Sequence, residues 1–210
     1  MKKIYIAGAG GFGQELASWL CSPGGLPIDW QLVGFLDDIA SGEPLPGVPV
    51  MSTIKNFKAG ENEWVVMGVG TPTSKMAVHE MLCALGAKFI TYLHPSAIIS
   101  ASASLGDGCV LCPGALVSHR ALLGACVTLN AYATVGHNAV VGACSTVSSH
   151  VDITGGVVIG QAVLLGSHAS VLPGVQVGDR ATIGAGSVAV RNVGAGAVVF
   201  GVPAKKIFQQ

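Results

Sequence analysis

The chain has 210 residues, of which half are hydrophobic and a tenth are charged, and its formal net charge at pH 7 is zero. A neutral chain without a basic patch is not expected to bind nucleic acid, and no apolar run reaches the roughly 18 residues of a membrane-spanning helix. The first residues also lack the cleavage pattern of an export signal. The composition therefore predicts a soluble cytoplasmic protein with one large domain or two small ones.

The first 90 residues alternate predicted strands with predicted helices. The predicted strands are 2–7, 31–38, 63–70 and 87–93, and the predicted helices are 11–21 and 74–85. Residues 41–50, SGEPLPGVPV, are rich in Pro and Gly and predict a loop. This alternation indicates a small parallel sheet, about half the size of a complete dinucleotide-binding fold.

The glycine-rich segment at 8–13, GAGGFG, joins the first predicted strand to the first predicted helix and matches the pattern G-x-G-x-x-G. Bare backbone N–H groups at the start of a helix attract phosphate, so the loop predicts a nucleotide site. By itself it leaves open a nicotinamide-dependent enzyme or a non-catalytic binding module. The missing second half of the fold counts against the nicotinamide enzyme.

From residue 99 to residue 183 an Ile, Leu or Val recurs at every sixth position, fifteen times in succession. A helix would repeat at 3.6 residues and a half-buried strand at two, so neither explains this period. A hexapeptide repeat is typical of a parallel β-helix, in which three hexapeptides form one triangular coil of about 18 residues. The run predicts about five coils. Glycine follows the aliphatic residue at eight of the fifteen positions, and we expect it to relieve the turns.

The predicted fold class is therefore α/β followed by a β-solenoid. A small Rossmann-like α/β domain is expected over residues 1–93. A parallel β-helix is expected over residues 94–210, where the last segment loses the repeat and caps the open end.

Residues three hexapeptides apart should lie above one another in such a β-helix. His119 and His137 share a column with Gly155, so His137 is expected to have open space above it. Three interpretations are open: a surface histidine, a metal ligand, or a general base, since imidazole titrates near neutral pH. Zinc-binding β-helices usually have two histidines five apart, and this chain has no such pair, so no metal is predicted.

The six cysteines predict buried, reduced thiols rather than a disulfide framework or a zinc site. Cys126 and Cys144 are one coil apart and should stack. A disulfide between them is geometrically open, and two free thiols are favoured in the cytoplasm.

Several motifs together resemble one family. The hexapeptide run, GHNAVVG at 136–142, GGVVIG at 155–160 and GVPAKKI at 201–207 resemble bacterial sugar acyltransferases of the left-handed β-helix superfamily. With GAGGFG and FLDD added, the whole chain is similar to the sialic-acid O-acetyltransferase-like (NeuD/PglD-type) family. That family includes N-acetyltransferases acting on nucleotide-linked 4-amino-sugars. The resemblance implies a left-handed β-helix, a homotrimer with active sites between subunits, acetyl-CoA as co-substrate and direct transfer in a ternary complex.

The resemblance also implies roles for individual residues. His137 falls on the catalytic base, and Asn138 stands where Asp or Glu is common. The implied acetyl-CoA contacts are Thr146, Gly155, Ser167, Ala185 and Lys205. The implied nucleotide-sugar contacts are Gly10, Gly11, Phe12, Asp37, Asp38 and Gly70.

Three positions depart from the family pattern. Asn138 can orient the imidazole but adds no charge. Thr146 stands where some relatives have a second histidine. At the position of Phe12, relatives often have a histidine that contacts the substrate. Lys205 could meet the CoA phosphates or belong to a solvated tail. The expected reaction is acetyl transfer to the amine of a nucleotide-linked amino-sugar. The alternatives are a sugar O-acetyltransferase acting on a sialic acid or polysaccharide precursor, and a non-catalytic nucleotide-binding scaffold.

Overall fold

The computed structural model describes residues 1–209, and its first part is a five-stranded parallel sheet with two α-helices. The strands are β1 (Lys2–Ala7), β2 (Trp30–Leu36), β3 (Val50–Ser52), β4 (Glu63–Met67) and β5 (Lys88–Phe89). The helices are α1 (Gly11–Cys21) and α2 (Pro72–Ala84), and a 3-10 turn spans Ile54–Asn56. The strand order β3-β2-β1-β4-β5 puts β1 in the middle, so the glycine-rich loop after it opens at the centre of one sheet edge.

The strands of this part differ from the prediction at four places. β4 ends at Met67, so residues 68–70 of the predicted strand lie in the loop that follows it. β2 ends at Leu36, so Asp37 and Asp38 lie in the loop that follows it. β3 begins within the segment predicted as a loop, because a three-residue edge strand is too short to show an alternating pattern. The predicted strand over 87–93 is split, since β5 joins this sheet and the last two residues start the second part.

The second part is a parallel β-solenoid whose two-residue strands stack on three faces. The first face contains β7 (Ile98–Ile99), β10 (Leu116–Val117), β13 (Thr134–Val135), β16 (Asp152–Ile153), β19 (Ser170–Val171) and β22 (Val188–Ala189). The second face contains β8 (Ser104–Leu105), β11 (Leu122–Leu123), β14 (Val140–Val141), β17 (Val158–Ile159) and β20 (Gln176–Val177). The third face contains β6 (Tyr92–Leu93), β9 (Val110–Leu111), β12 (Thr128–Leu129), β15 (Thr146–Val147), β18 (Leu164–Leu165) and β21 (Thr182–Ile183), followed by β23 (Ala197–Phe200) and β24 (Lys205–Gln209).

Neighbouring strands within a face are three hexapeptides apart, as the period predicts. Leu116 pairs with Thr134 on the first face, and Thr128 pairs with Thr146 on the third. The aliphatic residues of the repeat and the small residues two positions before them form one continuous core along the solenoid. The period therefore predicted both the architecture and which side chains point inward.

The solenoid is longer than the five predicted coils. Its first face stacks six strands, and its third face stacks seven parallel strands and adds β24 in antiparallel orientation. The stacking starts at Tyr92, just before the predicted boundary, and continues past Ile183, where Ala189 takes the place of a large aliphatic residue. Val193 then pairs with Val177, so the spacing between paired residues becomes shorter than three hexapeptides near the C-terminal end of the solenoid. The coils at both ends of the solenoid therefore stack although their sequences do not keep the complete hexapeptide repeat.

The glycines of the repeat do not have the predicted role. The turns require positive φ at every sixth residue from 108 to 186, three positions after each inward aliphatic residue, and nine of these residues are not glycine. The glycines that directly follow the aliphatic residues lie instead where coils approach closely. A Cβ on Gly124 would lie 2.7 Å from the Ala143 backbone nitrogen. These glycines are needed because the next coil leaves no room for a side chain.

The α/β part packs against the third face and an adjacent corner of the solenoid. Trp19 of α1 stacks on Tyr92 with ring centroids 6.5 Å apart. Leu82 of α2 lies in one buried cluster with Cys126 and Cys144. Two different helices therefore hold the α/β part on the solenoid, one at its first coil and one further along.

The cysteines agree with the predicted structural thiols only in part. All six are free thiols; four are buried (Cys109, Cys112, Cys126 and Cys144) and two are exposed (Cys21 and Cys83). Burial raises the pKa of Cys109 to about 11 and of Cys112 to about 12, so both stay protonated at neutral pH. The two exposed cysteines correct the expectation of six buried ones.

The longer of the two α-helices has 13 residues. Within residues 1–209, no helix has the length and apolar character that crossing a bilayer requires.

Candidate active site

The glycine-rich loop opens onto a cavity of about 360 Å³ at the carboxyl ends of β1 and β4. The cavity is lined by Gly8, Gly10, Gly11, Phe12, Asp37, Gly68, Val69, Gly70 and Thr71. Five of the six predicted nucleotide-sugar contacts therefore meet at one site. The sixth, Asp38, is exposed and lies outside the lining.

The glycines of the loop are required for different physical reasons. Gly8 has φ near +100°, which favours glycine, and a Cβ on Gly13 would collide with the Gly8 carbonyl oxygen. Gly10 and Gly11 face open space, and α1 begins at Gly11. The loop thus presents bare backbone and a helix N-terminus to the cavity, an arrangement that suits a phosphate group.

Asp37 organises this loop through backbone hydrogen bonds. One carboxylate oxygen accepts from the Ala9 N–H at 2.8 Å, and the other accepts from Ile39 and Ala40 at 2.8 Å each. Burial would raise the pKa of Asp37, but these three donors outweigh it and lower the pKa. Asp37 is therefore a structural part of the cavity wall, whereas the neighbouring Asp38 is exposed.

His137 occupies an exposed corner of the solenoid after β13, in the column that its spacing predicts. A Cβ on Gly155 would lie 2.6 Å from both Cε1 and Nε2 of His137. The imidazole edge therefore lies directly against the glycine, and any side chain at 155 would displace it. His119, one coil earlier, shares a hydrogen bond with Ser102 Oγ through Nδ1 at 2.7 Å.

Asn138 holds the other edge of the His137 ring. Its Nδ2 donates to His137 Nδ1 at 3.1 Å, which leaves the neutral ring with its hydrogen on Nε2. A half-turn of the amide exchanges Nδ2 for Oδ1, which then accepts from Nδ1–H and leaves the Nε2 lone pair free. Asn138 itself has φ of 56°, a left-handed conformation that Asn tolerates well.

The predicted acetyl-CoA contacts are spread over the chain. Gly155 adjoins His137, whereas Ser167 and Ala185 stack in a column at another corner, after β18 and β21. Lys205 lies in β24 beside a cavity of about 340 Å³ that Lys206 and Arg191 also line. The chain by itself does not bring these residues together.

Thr146 is buried between the two parts of the chain, with 4% of its surface exposed. Its Oγ1 donates to the Gly70 carbonyl at 2.6 Å and accepts from Lys75 Nζ at 2.7 Å. The hydroxyl hydrogen is thus engaged within the chain, and donation from this hydroxyl to acetyl-CoA would require the bond to Gly70 to break. No pattern in the sequence marks Lys75 as functional, because a lysine in an amphipathic helix is normally exposed.

The remaining histidines of the solenoid form no metal site. His150 and His168 stack with ring centroids 4.7 Å apart, and Tyr132 stacks on His150. Residues 1–209 contain no group of three or more His, Cys, Asp or Glu side chains placed to hold a metal ion.

Comparisons with known families match both parts of the chain. The model of the PglD N-terminal domain matches residues 3–82. The bacterial transferase hexapeptide model, with six repeats, matches residues 156–189. The comparison with curated protein sequences gives no match.

Solved structures match the chain over its whole length. The acetyltransferase domain of PglB from Neisseria gonorrhoeae FA1090 is 32% identical, covers 99% of this chain and 100% of its own, and has a TM-score of 0.87. The same domain in complex with acetyl coenzyme A is 33% identical over 98% and 99% of the two chains, with a TM-score of 0.87. PerB from Caulobacter crescentus, in complex with CoA and GDP-perosamine, is 25% identical over 99% and 98%, with a TM-score of 0.88.

The level of identity over the full length decides the family. The PglB domain keeps its 32% identity over 99% of this chain, so the match spans both the α/β part and the solenoid. The two family models match the same two parts independently. The chain therefore belongs to the NeuD/PglD-type family of hexapeptide acetyltransferases and is an acyltransferase.

Proposed function

We propose that this enzyme transfers an acetyl group from acetyl-CoA to the amino group of a nucleotide-linked amino-sugar, such as a UDP-, GDP- or dTDP-4-amino-sugar, with His137 as general base. The observation that carries the proposal is the placement of His137. Its imidazole lies on an exposed corner against Gly155, which has no side chain to cover it. PerB, solved with CoA and GDP-perosamine, supports this class of substrates.

The nucleotide is proposed to bind in the cavity at the glycine-rich loop. Gly10 and Gly11 would receive the phosphates through backbone N–H groups at the start of α1. Asp38 is exposed and would accept hydrogen bonds from the ribose or base, whereas Asp37 holds the loop. Phe12 would pack against a ring of the substrate.

The reaction needs two proton transfers and the exchange of one bond to the acetyl carbon for another. His137 Nε2 takes a proton from the acceptor amine as its nitrogen attacks the thioester carbonyl. The C–N bond forms, the C–S bond breaks, and the leaving CoA thiolate takes the proton from the His137 imidazolium, which returns the base to its neutral form. Asn138, with its amide oxygen toward Nδ1–H, would keep Nε2 unprotonated for this step and stabilise the ring without charge.

Acetyl-CoA is proposed to bind between two copies of the chain in a homotrimer. His137 and Gly155 lie at one corner of the solenoid, while Ser167 and Ala185 lie at another. A site that uses both sets of residues is complete only when one subunit brings its His137 corner to the other corner of its neighbour. Lys205, with Lys206 and Arg191 nearby, would meet the CoA phosphates at the solenoid end.

The test is release of CoA thiol from acetyl-CoA with a panel of nucleotide amino-sugars and sialic acids as acceptors. We expect turnover with a nucleotide amino-sugar, and His137→Ala should lower it by about two to four orders of magnitude, the usual contribution of a general base. His119→Ala is the matched control, because this histidine is also exposed in the same column. Near-normal turnover of His137→Ala, or acetylation only of a sugar hydroxyl, would overturn the proposal.

A further inference from the structure

Lys75 is the only charged side chain that the fold buries completely within residues 1–209. It lies on α2 and points into the contact between α2 and the third face of the solenoid. Its Nζ donates to Thr128 Oγ1 and to Thr146 Oγ1 at 2.7 Å each, and to the Ser145 carbonyl at 3.3 Å. All three hydrogens of the ammonium therefore have acceptors on two adjacent coils.

The ammonium determines where the Thr146 hydroxyl hydrogen points. Lysine can only donate, so Thr146 Oγ1 must accept from Nζ. Its own hydrogen is then free for another acceptor, and the Gly70 carbonyl lies at 2.6 Å. Lys75, Thr146 and Gly70 thus form a directed relay from α2 through the solenoid to the loop after β4. We call these three residues the relay.

The relay ends at the nucleotide cavity. Gly70 lines that cavity together with Gly10 and Phe12, and Thr71 leads directly into α2. The Gly70 carbonyl is held by the coil that carries β15, one coil after β12. The position of this cavity wall relative to the solenoid is therefore fixed by a hydrogen bond and not only by packing.

Hydrophobic packing alone would not require a charge at this position. Taking an ammonium out of water is costly, and an apolar side chain of the same length often gives equal or greater stability in such a place. Leu82 and the buried cysteines already supply apolar contact between α2 and the solenoid. A charged group in this contact fixes the relative position of the two parts more precisely than apolar packing does, because its hydrogen bonds have defined geometry.

We propose that Lys75 is a positioning residue for acetyl transfer, which holds the nucleotide-sugar cavity at a fixed distance from the solenoid through Thr146 and Gly70. This inference rests on the proposed function, in which the sugar must reach from the cavity to the acetyl-transfer site. A misplacement of about 1 Å in a reacting geometry can reduce the rate about a hundredfold. The Lys75 ammonium uses its three hydrogens on Thr128, Ser145 and Thr146, so it acts on the reaction through these contacts.

Kinetics of four variants tests the relay: Lys75→Met, Thr146→Val, the double variant, and Thr128→Val as the matched control. Thr128 accepts a hydrogen bond from Lys75 like Thr146, but the hydrogen bond to the Gly70 carbonyl comes from Thr146. We expect Lys75→Met and Thr146→Val each to lower kcat/KM for the nucleotide-sugar about ten- to a hundredfold, with the KM for acetyl-CoA within about twofold. Thr128→Val should stay within about twofold of the wild type.

The double variant separates positioning from a merely structural role. If Lys75 acts through Thr146, the double variant should be no slower than the slower single variant, since both break the same relay. Additive losses would overturn the proposal, as would equal losses in Thr128→Val and Thr146→Val. A rise in the KM for acetyl-CoA in Thr146→Val would assign this hydroxyl to the cofactor and also overturn it.

Amide hydrogen exchange tests the relay without a substrate, because it measures local opening of the backbone. If the wild type acetylates no compound of the panel, the proposed function fails, while the relay is still measured by amide exchange. We expect Lys75→Met to speed exchange over residues 68–73 at least tenfold and to leave residues 136–139 unchanged. Unchanged exchange over 68–73, in a variant with wild-type circular dichroism, would overturn the relay.

Discussion

At the residue scale, the chemistry of His137 depends on what its two neighbours lack. Gly155 has no side chain, and Asn138 has no charge. The column that joins His137 to Gly155 could be predicted, because the period of the repeat places residues of successive coils above one another. The hydrogen bond from Asn138 required the structure, since two adjacent residues can place their side chains in several ways.

Gly155→Ala tests the room beside the base. An added Cβ would lie 2.6 Å from His137 Cε1 and Nε2, so the ring must move. We expect kcat to fall at least tenfold while unfolding changes little, because the corner is exposed. The measurement is thiol release under saturating substrates together with thermal unfolding.

The control for this substitution is Gly60→Ala, at an exposed turn outside both proposed sites. A Cβ on Gly60 would meet only the flexible Glu63 side chain, at 3.2 Å, and its φ does not require glycine. Activity should stay at the wild-type level. If Gly155→Ala is equally active, the imidazole edge at Gly155 is not the one that meets the substrate.

Asn138→Asp tests whether the base lacks a charged partner. Aspartate also tolerates the left-handed conformation at this position, and a carboxylate can only accept from Nδ1–H. A hydrogen bond to a charged group is worth about 1 kcal/mol more than a neutral one, so we expect turnover to rise about fivefold. Asn138→Gly keeps the backbone conformation and should lower turnover.

A fall in turnover of Asn138→Asp to the level of Asn138→Gly would contradict this explanation. The amide would then act on the substrate rather than on the imidazole. Comparing the KM for the amino-sugar in the two variants distinguishes these two roles.

At the element scale, the repeat predicted which residues face the core but not which residues make the turns. The left-handed position carries residues as different as Tyr132, Asn138 and Arg180, so composition gives no signal there. Glycine is instead concentrated where backbones of successive coils meet. Glycine can be required either because two backbones approach closely or because the residue has positive φ. The sequence shows only that glycine is present, so the structure is needed to distinguish these two causes.

Two glycine substitutions separate close approach from positive φ. Gly124→Ala places a Cβ 2.7 Å from the Ala143 backbone nitrogen, whereas Gly186→Ala meets nothing within 4 Å but has φ of +66°. We expect a loss of about 3 kcal/mol for Gly124→Ala, since a rigid backbone must move. Gly186→Ala should lose only about 1 kcal/mol, the usual penalty of the left-handed conformation.

Urea unfolding of both variants measures these losses. Equal losses, or a greater loss at Gly186, would show that the turn conformation, and not the approach of coils, is the stronger constraint. Neither glycine adjoins His137 or lines the nucleotide cavity. Gly186 follows Ala185, a proposed acetyl-CoA contact, so the comparison rests on the free energy of unfolding and not on activity.

At the scale of the whole molecule, the two parts could each be predicted, but their contact could not. A parallel sheet with helices and a hexapeptide solenoid have distinct periods, and each period is visible along the chain. The contact joins Lys75 to Thr128 and Thr146, which are 53 and 71 residues away along the chain, and no local pattern marks such pairs. The hydrogen bonds of Thr146 could not be predicted for this reason.

The burial of Lys75 has a consequence for stability that depends on pH. Burial lowers the pKa of Lys75 from 10.5 to about 8, against a smaller opposing effect of the thiols of Cys144, Cys126 and others nearby. Since the folded pKa is the lower one, the unfolded chain binds more protons between these two values. Stability from this group therefore rises with pH from about 8 to 10.5, and the buried charge is destabilising below pH 8.

Lys75→Met should remove this pH dependence. Between pH 7 and pH 10 the free energy of unfolding of the wild type should gain about 2 to 3 kcal/mol relative to the variant, as one pKa unit corresponds to about 1.4 kcal/mol. The difference between the two proteins is the quantity to measure, because other groups act in the opposite direction. Cys109 and Cys112 have raised pKa values, and they destabilise the fold as the unfolded thiols ionise.

Urea unfolding with a thiol reductant, followed by tryptophan fluorescence, gives this difference, since all three tryptophans lie in the α/β part that Lys75 attaches to the solenoid. A difference that is constant from pH 7 to pH 10 would mean that Lys75 titrates like an exposed lysine and that water enters the contact. A difference that grows with pH, combined with a loss of kcat/KM in Lys75→Met at pH 7, would show that the same side chain lowers stability and sets the position of the nucleotide cavity. In that case the enzyme retains a destabilising charge at the contact because its hydrogen bonds fix a geometry that packing alone would leave less defined.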